Sequence, residues 1–319
     1  TSGTNWSISG NTLTVTGTAN IQASVIESHL TNTGPLTIVG NTTDLQVEVF
    51  EAINVSLGSN SLVIGASDNK GAITITQTIT LPGSISFHGG WVRLEEHVTT
   101  GSGAKILAKA NEDASPGATN GFITLSSGKN LTTNGGDIIL WSNATNRTGA
   151  YGQANNEIVL FGTNTLSTSG GKIVLAGGLD TDSDGIPDGY AYRGSYTGEA
   201  VDIRSTVTLN SGGGEIIIRG EQNGSDVAVG ADATFTISNG GAVTIEGKNT
   251  TATSVALGTA NIASTATNAP VTISGTTHIT NSGLTTISTQ GGDVLLASNV
   301  DDATDGESVT NGYIRLRSG

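Results

Sequence analysis

Short alternations of apolar and polar residues, separated by turns, recur along this chain. In five segments a strand-like pattern is followed by a glycine pair and then by a second strand-like pattern with apolar residues at alternate positions. A period of two is typical of half-buried β-strands. The five segments are NLTTNGGDIIL (130–140), TLSTSGGKIVL (165–175), VTLNSGGGEIII (207–218), TFTISNGGAVTI (234–245) and LTTISTQGGDVLL (284–296).

A third strand pattern follows each of these pairs after a loop of variable length, as in GFITLSSG, NEIVLFG and NGYIRLRSG. One repeat therefore has three strands and one loop that tolerates insertion, and the bare repeat is about 25 residues long. Glycine suits the turn because a sharp bend requires positive φ or a close backbone approach. Repeats of this kind, stacked in parallel about 4.8 Å apart, form a parallel β-solenoid.

The alternation also predicts which side of each strand is buried. Alternate apolar residues point inward and stack in columns, and the residues beside them point outward. About a dozen repeats would give a rod on the order of 55 Å long. The predicted inward residues are Ile138, Leu140, Ile173, Leu175, Ile216, Ile218, Val294 and Leu296, and the predicted outward residues are Asp137, Lys172, Glu215 and Asp293.

We expect a single all-β solenoid over residues 1–319. Residues 101–319 carry the regular glycine-pair repeats with their insertions, and residues 1–100 continue the strand rhythm less regularly. Because each long insertion follows the equivalent strand, we expect the insertions along one edge of the rod, where solenoids often carry binding sites. The alternative is that this edge merely tolerates extra residues.

Composition and charge exclude several functions. The chain has 46 glycines and 4% aromatic residues, which favours many short strands joined by turns. The apolar runs are far shorter than the roughly 20 residues that span a bilayer, so no membrane insertion is expected. A net charge of −14 at pH 7 argues against a nucleic-acid partner, because it would repel a phosphate backbone. The absence of cysteine excludes disulfides and thiolate metal sites.

The segment GGDIILWSNATN (135–146), followed by a glycine-bearing loop and a new strand pattern, resembles the repeats of filamentous-haemagglutinin-like adhesins, which are long bacterial surface proteins. The resemblance covers residues 100–319. It implies a right-handed parallel β-helix with three strands per rung and an extracellular or cell-surface location. The Asn-Pro-containing secretion motifs expected in the N-terminal domain of that family are missing from this sequence.

The acidic stretch DTDSDGIPD (180–188) lies in the longest internal insertion. Its aspartates, its glycine and one carbonyl correspond to positions 1, 3, 5, 6, 7 and 9 of a Ca²⁺ loop. Carboxylates so close together repel one another unless a cation is bound, and a solvated acidic loop would have to accept that repulsion. The sequence predicts a structural Ca²⁺ site. Its predicted ligands are Asp180, Asp182, Asp184, the carbonyl of Ile186, and Asp188.

This match lacks the closing acid, because position 12 of the loop is Ala191. A further carboxylate would have to complete the site, and Glu199 and Asp202 are the nearest candidates along the chain. Two other insertions are also acidic and are weaker metal candidates. Their acidic residues are Glu112 and Asp113 in the first, and Asp301, Asp302, Asp305 and Glu307 in the second.

The few aromatic residues gather in and beside the same insertion. Aromatic rings next to polar groups are typical of surfaces that bind sugars or proteins. The alternative is that these residues pack the long loop onto the rod. The candidate binding residues are Trp141, Tyr151, Tyr190, Tyr192 and Tyr196.

No catalytic residues are predicted. The four histidines, His29, His88, His97 and His278, have no metal-ligand spacing, and no Gly-x-Ser-x-Gly motif is present. We expect a structural and adhesive region of a bacterial surface or secreted fibre, whose loops bind a cell-surface glycan or protein receptor, or copies of itself. Two alternatives stay open: a polysaccharide lyase or hydrolase on a β-helix, and a self-assembling filament or surface-layer subunit.

Overall fold

The computed structural model describes residues 2–49, 51–111, 121–144, 155–194, 197–298 and 313–315. Strands make up 53% of these described residues and helix makes up 4%. The strands lie in three long and mainly parallel sheets, here called sheets 1, 2 and 3. The prediction of an all-β parallel β-helix is confirmed.

Sheet 1 has 15 strands. Thirteen of them follow one another across the sheet, and two short strands pair beside this path. The thirteen strands are Ser2–Gly3, Trp6–Ser9, Thr12–Val15, Leu36–Gly40, Leu62–Gly65, Ile85–Gly89, Ile106–Ala110, Ile138–Ser142, Ile173–Gly177, Ile216–Gln222, Val243–Asn249, Val271–Gly275 and Val294–Ser298, and the two side strands are Asn155–Asn156 and Ala191–Arg193.

Sheets 2 and 3 have ten and nine strands. The strands of sheet 2 are Val47–Val49, Ala72–Ile75, Trp91–Leu94, Ile123–Leu125, Ile158–Leu160, Val201–Ile203, Val229–Ala231, Thr253–Leu257, His278–Asn281 and Tyr313–Arg315. The strands of sheet 3 are Ile53–Asn54, Ile79–Leu81, Val98–Ser102, Asn130–Asn134, Asn164–Ser167, Val207–Asn210, Thr234–Gly240, Thr259–Thr267 and Thr285–Gln290.

Each rung takes one strand from sheet 1, then one from sheet 2, then one from sheet 3. The rungs stack in register, so that Ile138 pairs with Ile173 and Ile173 with Ile216. The ten strands of sheet 2 give ten rungs in the described chain, fewer than the dozen expected. At about 4.8 Å per rung the stack is about 45 Å long.

The interior consists of stacked aliphatic columns, as the alternation predicted. Six of the eight predicted inward residues are fully buried in one continuous core, namely Ile138, Leu140, Ile173, Leu175, Ile216 and Ile218. Val294 differs, with 49% of its surface exposed. It pairs with Val271, but its strand is the last of sheet 1 in the described chain, so no further described strand covers it.

The N-terminal end differs from the irregular rungs that the sequence predicted. Trp6–Ser9 pairs antiparallel with Thr12–Val15, and a helix, Ala23–Asn32, follows. Ile26 and Leu30 of this helix pack into the main core, and the Glu51 carboxylate accepts the Ala23 N–H at 2.9 Å. The helix and hairpin form the N-terminal end of the described stack. Residues 62–102 already form two regular rungs, so the irregular part is shorter than the hundred residues expected.

The glycine pairs turn the chain from sheet 3 into sheet 1. The second glycine of each pair lies against the rung before it: a Cβ on Gly171 would lie 2.1 Å from the Gly136 oxygen, and one on Gly136 would lie 2.0 Å from the Ala104 oxygen. At most of these turns a hydroxyl before the pair donates to the carbonyl of that second glycine, as from Thr168 Oγ1 to Gly171 O at 2.6 Å, whereas the Gly241 carbonyl accepts from Ser264 of the next rung. Close backbone approach therefore requires glycine here.

A hydroxyl in this position recurs at six turns of this corner of the rod. All of these residues except Thr289 are buried, and there the bond to the turn carbonyl satisfies a polar group that would otherwise be costly to bury. The hydroxyl donors are Thr100, Thr133, Thr168, Ser211, Ser264 and Thr289.

The long insertions all lie at the corner between sheet 1 and sheet 2. In the described rungs the longest connections follow the strands that end at Ala110, Ser142 and Gly177. A fourth runs between Ser298 and Tyr313, and its residues 299–312 lie outside the described part of the chain. The strand order therefore agrees with the prediction that the insertions lie along one edge of the rod.

Candidate functional site

The insertion over residues 178–200, here called the long insertion, folds back over the outer face of sheet 1. Ile186 from this insertion is 8% exposed and packs against side chains that point outward from the sheet. Together they form a second hydrophobic cluster, separate from the main core. This outer cluster contains Ile139, Trp141, Ala144, Val174, Ala176, Ile186 and Ile217, with Leu107 packed against it.

In the strands that form the outer cluster, apolar residues occupy consecutive positions and do not alternate with polar ones. The runs IILW (138–141), IVLA (173–176) and III (216–218) are continuously apolar, and such strands are typically buried on both faces. These runs occur on the rungs that the long insertion covers. These runs would have predicted a second buried face of sheet 1. The alternating pattern alone predicts only the face that points into the core.

Further contacts fix the long insertion to the rod. Trp141 Nε1 donates to Gly178 O at 2.8 Å, and Gly177 forms a β-bridge with Gly189. The strand Ala191–Arg193 pairs in parallel with residues 220–222 of the next rung and antiparallel with Asn155–Asn156 of the previous insertion. The insertion is thus a structured extension of sheet 1.

The aspartate loop, residues 180–188, brings three carboxylates together. One oxygen from each of Asp180, Asp182 and Asp188 lies within 4.8 Å of the others; Asp180 is half-buried, and Asp182 and Asp188 are exposed. Asp184 is not part of this group, and its Oδ1 accepts the Ile186 N–H at 2.8 Å. The structure thus gathers three of the four predicted carboxylate ligands.

Backbone amides hold these carboxylates in place. Asp180 Oδ2 accepts the Gly185 N–H at 2.9 Å, and Asp180 Oδ1 and Asp182 Oδ1 both accept the Asp184 N–H at 3.2 Å. The tight path requires positive φ at Ser183 and Gly185, with values of 65° and 85°. Glycine adopts such a conformation without a steric penalty. The loop is therefore shaped by its own hydrogen bonds.

Asp188 is held as a carboxylate. Hydrogen bonds from the hydroxyl and then the N–H of Thr181 lower its pKa, and the positive charge of Arg219 adds to this effect. Arg219 also ion-pairs with Glu246 at 2.6 Å, which fixes its position on sheet 1. A lowered pKa keeps Asp188 negatively charged, which suits a group that faces a cation.

The structure does not bring either of the predicted additional carboxylates, Glu199 or Asp202, to the aspartate loop. Ala191 is fully buried in its strand, and neither Glu199 nor Asp202 belongs to the gathered carboxylates. Asp202 is 2% exposed on sheet 2, where its Oδ2 accepts the Arg204 Nε–H at 2.7 Å. Neither residue is the missing ligand. The other acidic candidates, Glu112, Asp113, Asp301, Asp302, Asp305 and Glu307, lie outside the described residues.

The aromatic candidates have mainly packing roles where the structure describes them. Trp141 and Tyr192 are 5% and 4% exposed, which leaves little surface for a ligand. Tyr190 is half-buried. Tyr151 and Tyr196 lie outside the described residues. Trp141 and Tyr192 therefore pack the insertion onto the rod.

Comparisons of this chain with protein-family models, with curated proteins and with solved structures found no match. Within the described ranges, no helix has the length and apolar character needed to cross a membrane.

Deleting residues 178–198, with a short Gly-Ser link across the gap, is expected to preserve the rod. The deletion removes no core strand of a rung, so the far-ultraviolet circular dichroism should keep its β signal. It uncovers the outer cluster, so Trp141 fluorescence should shift to the red. Deleting residues 170–175 removes a core strand and should abolish the β signal. Equal damage from both deletions would contradict the rung assignment.

Proposed function

We propose that this chain is a structural and adhesive region of a bacterial cell-surface or secreted fibre, and that its insertions present the binding surface. The alignment of the insertions at the corner between sheets 1 and 2 carries the proposal. A continuous aliphatic core makes the rod stiff, and loops on such a scaffold can vary without cost to the core. Rod and loops therefore have separate roles, as an adhesive fibre requires.

We further propose that the aspartate loop binds one Ca²⁺ ion with a structural role. Asp180, Asp182 and Asp188 would hold the ion, since Ca²⁺ prefers carboxylate oxygens, and the three collected negative charges fit a cation of this kind. The bound ion would relieve their repulsion in the folded loop. With the closing acid missing, we expect a dissociation constant of about 10⁻⁴ to 10⁻³ M, in the range of extracellular modules.

Adhesion can be tested by comparing the intact protein with the variant that lacks residues 178–198. Both are labelled and applied to a glycan array and to cultured cells. The binding buffer contains either chelator or about 2 mM calcium, which is a few times the expected dissociation constant. The proposal predicts binding by the intact protein and weaker binding by the deletion variant.

Two other results would favour the alternatives. Release of reducing ends or unsaturated sugars from a polysaccharide panel would indicate an enzyme. Concentration-dependent rods in negative stain, without binding to either surface, would indicate a self-assembling filament.

A further inference from the structure

The base of the long insertion, residues 197–200, leads directly into the sheet 2 strand Val201–Ile203 and lies beside the next rung. Ala200 N–H donates to Ala228 O at 3.1 Å, and Gly198 N–H donates to Asp226 Oδ2 at 2.7 Å. The Glu199 side chain lies over Gly230, because a Cβ on that glycine would be 2.5 Å from Glu199 Cγ. The insertion is therefore anchored to the next rung at a glycine that leaves room for Glu199.

Register places a second carboxylate beside Glu199. Asp202 is the in-register neighbour of Gly230, so it lies about one strand spacing, about 4.8 Å, from the glycine that Glu199 covers. Asp202 is 2% exposed. Two acidic side chains thus share a confined surface, where an ionised pair repels strongly.

The charges around Glu199 are unbalanced. Asp202 and Arg204 face it from its own rung, Asp226 and Asp232 from the next rung, and Arg193 from the strand of the insertion.

Both guanidinium groups are engaged elsewhere. Arg204 ion-pairs with Asp202 at 2.6 Å, and Arg193 pairs with Glu157 and donates to Thr197 O at 2.7 Å. Five carboxylates therefore surround two arginines, counting Glu157, Glu199, Asp202, Asp226 and Asp232.

We propose that Glu199 is a proton-controlled latch: protonated, it holds the base of the long insertion against sheet 2, and ionised, it loosens that attachment. The proposal is independent of the Ca²⁺ site, whose aspartates are different residues. It is consistent with the electrostatics, since burial first and the charge of Asp202 second raise the pKa of Glu199 to about 7.

The direction of the pH effect follows from linkage. A carboxyl group whose pKa is higher in the closed state than in the open state favours the closed state when it is protonated. Below about pH 4.5, the ordinary value for glutamate, both states are protonated and pH has no effect. Between there and about pH 7 closure weakens as pH rises, and above about pH 7 the loss is complete.

Hydrogen exchange followed by mass spectrometry tests the latch on the intact protein. Amides of residues 198–203 are followed from about pH 4 to about pH 8.5, a range that spans both pKa values, with rates corrected for intrinsic exchange and calcium held constant. The opening constant should rise by up to about tenfold per pH unit until about pH 7 and then level off. Because Glu199 is partly exposed, tenfold is an upper bound.

The decisive variant is Glu199→Gln, which keeps the shape and removes the titration. It should show protection that is independent of pH over the same range. Glu215→Gln, which alters an outward glutamate paired with Lys172 on sheet 1, should behave like the unmodified protein. Asp232→Asn keeps Glu199 and removes a neighbouring charge, so the midpoint should move to lower pH. A pH-independent unmodified protein, an unchanged slope in Glu199→Gln, or an unmoved midpoint in Asp232→Asn would overturn the latch.

Discussion

Replacing Ile173 with aspartate is expected to prevent its rung from folding. Ile173 is fully buried between Ile138 and Ile216 of the adjacent rungs. An unpaired carboxylate there would lose hydration without gaining a partner, which costs several kcal/mol. The total stability of a domain is about 5–15 kcal/mol, and a stacked rung depends on its neighbours. We therefore expect loss of the cooperative urea transition, measured by circular dichroism.

The matched control for Ile173→Asp is Thr208→Asp. Thr208 is outward and only partly buried, and its in-register neighbours are Thr165 and Thr236, so a new carboxylate there meets solvent and no other acid. It should change the urea midpoint little, since surface substitutions are usually within about 0.5 kcal/mol. If Ile173→Asp melted like the unmodified protein, the inward assignment of that column would be wrong.

The second large effect is expected from Gly171→Ala, a change of one methyl group. The new Cβ would lie 2.1 Å from the Gly136 carbonyl oxygen, which belongs to the backbone of the preceding rung and cannot swing aside. Relief requires movement of a turn that also carries the Thr168 hydroxyl bond. We expect a loss of about 1–3 kcal/mol or more in the free energy of unfolding. Urea denaturation measures it.

Gly103→Asn separates this close approach from the conformational role of glycine. Gly103 has a φ of 70°, and a Cβ added to it would meet no atom within 4 Å. Asparagine tolerates that φ better than most residues. Its introduction should therefore cost well under 1 kcal/mol. A loss at Gly103 equal to that at Gly171 would mean that turn conformation, and not rung spacing, explains the glycine pairs.

The sequence was a good guide to the rungs because their signals are local and repeated. The glycine pairs and the alternation around Ile138, Ile173 and Ile216 specify turn, strand and inward face within a few residues of each other. Stacking in register follows, since a shift by one residue would turn the apolar column outward. Each rung therefore repeats the same local information.

The features that were missed depend on contacts between distant residues. The N-terminal helix was readable in part, because Ala23, Ile26 and Leu30 recur at helical spacing, but its place at the end of the stack depends on Glu51 and Asn60. The strand rhythm of the neighbouring residues obscured it.

The candidate site shows the same division. The gathering of Asp180, Asp182 and Asp188 follows from a local loop motif, and it was predicted. The placement of Glu199 and Asp202 was not predicted. These residues follow the strand Ala191–Arg193, after which the chain passes from the outer face of sheet 1 to sheet 2. Nearness along the sequence was therefore misleading.

Limited proteolysis with and without chelator tests most directly the claim that Ca²⁺ stabilises the aspartate loop of the long insertion. An ion that binds only the folded loop stabilises it by an amount that grows with the logarithm of its concentration. Chelation should therefore open cleavage sites between residues 178 and 198, mapped by mass, before the rod melts. Added calcium should close them in the unmodified protein but not in the Asp180→Asn, Asp182→Asn double variant. Identical cleavage patterns in calcium and in chelator would contradict the claim and leave the aspartates as a solvated acidic loop.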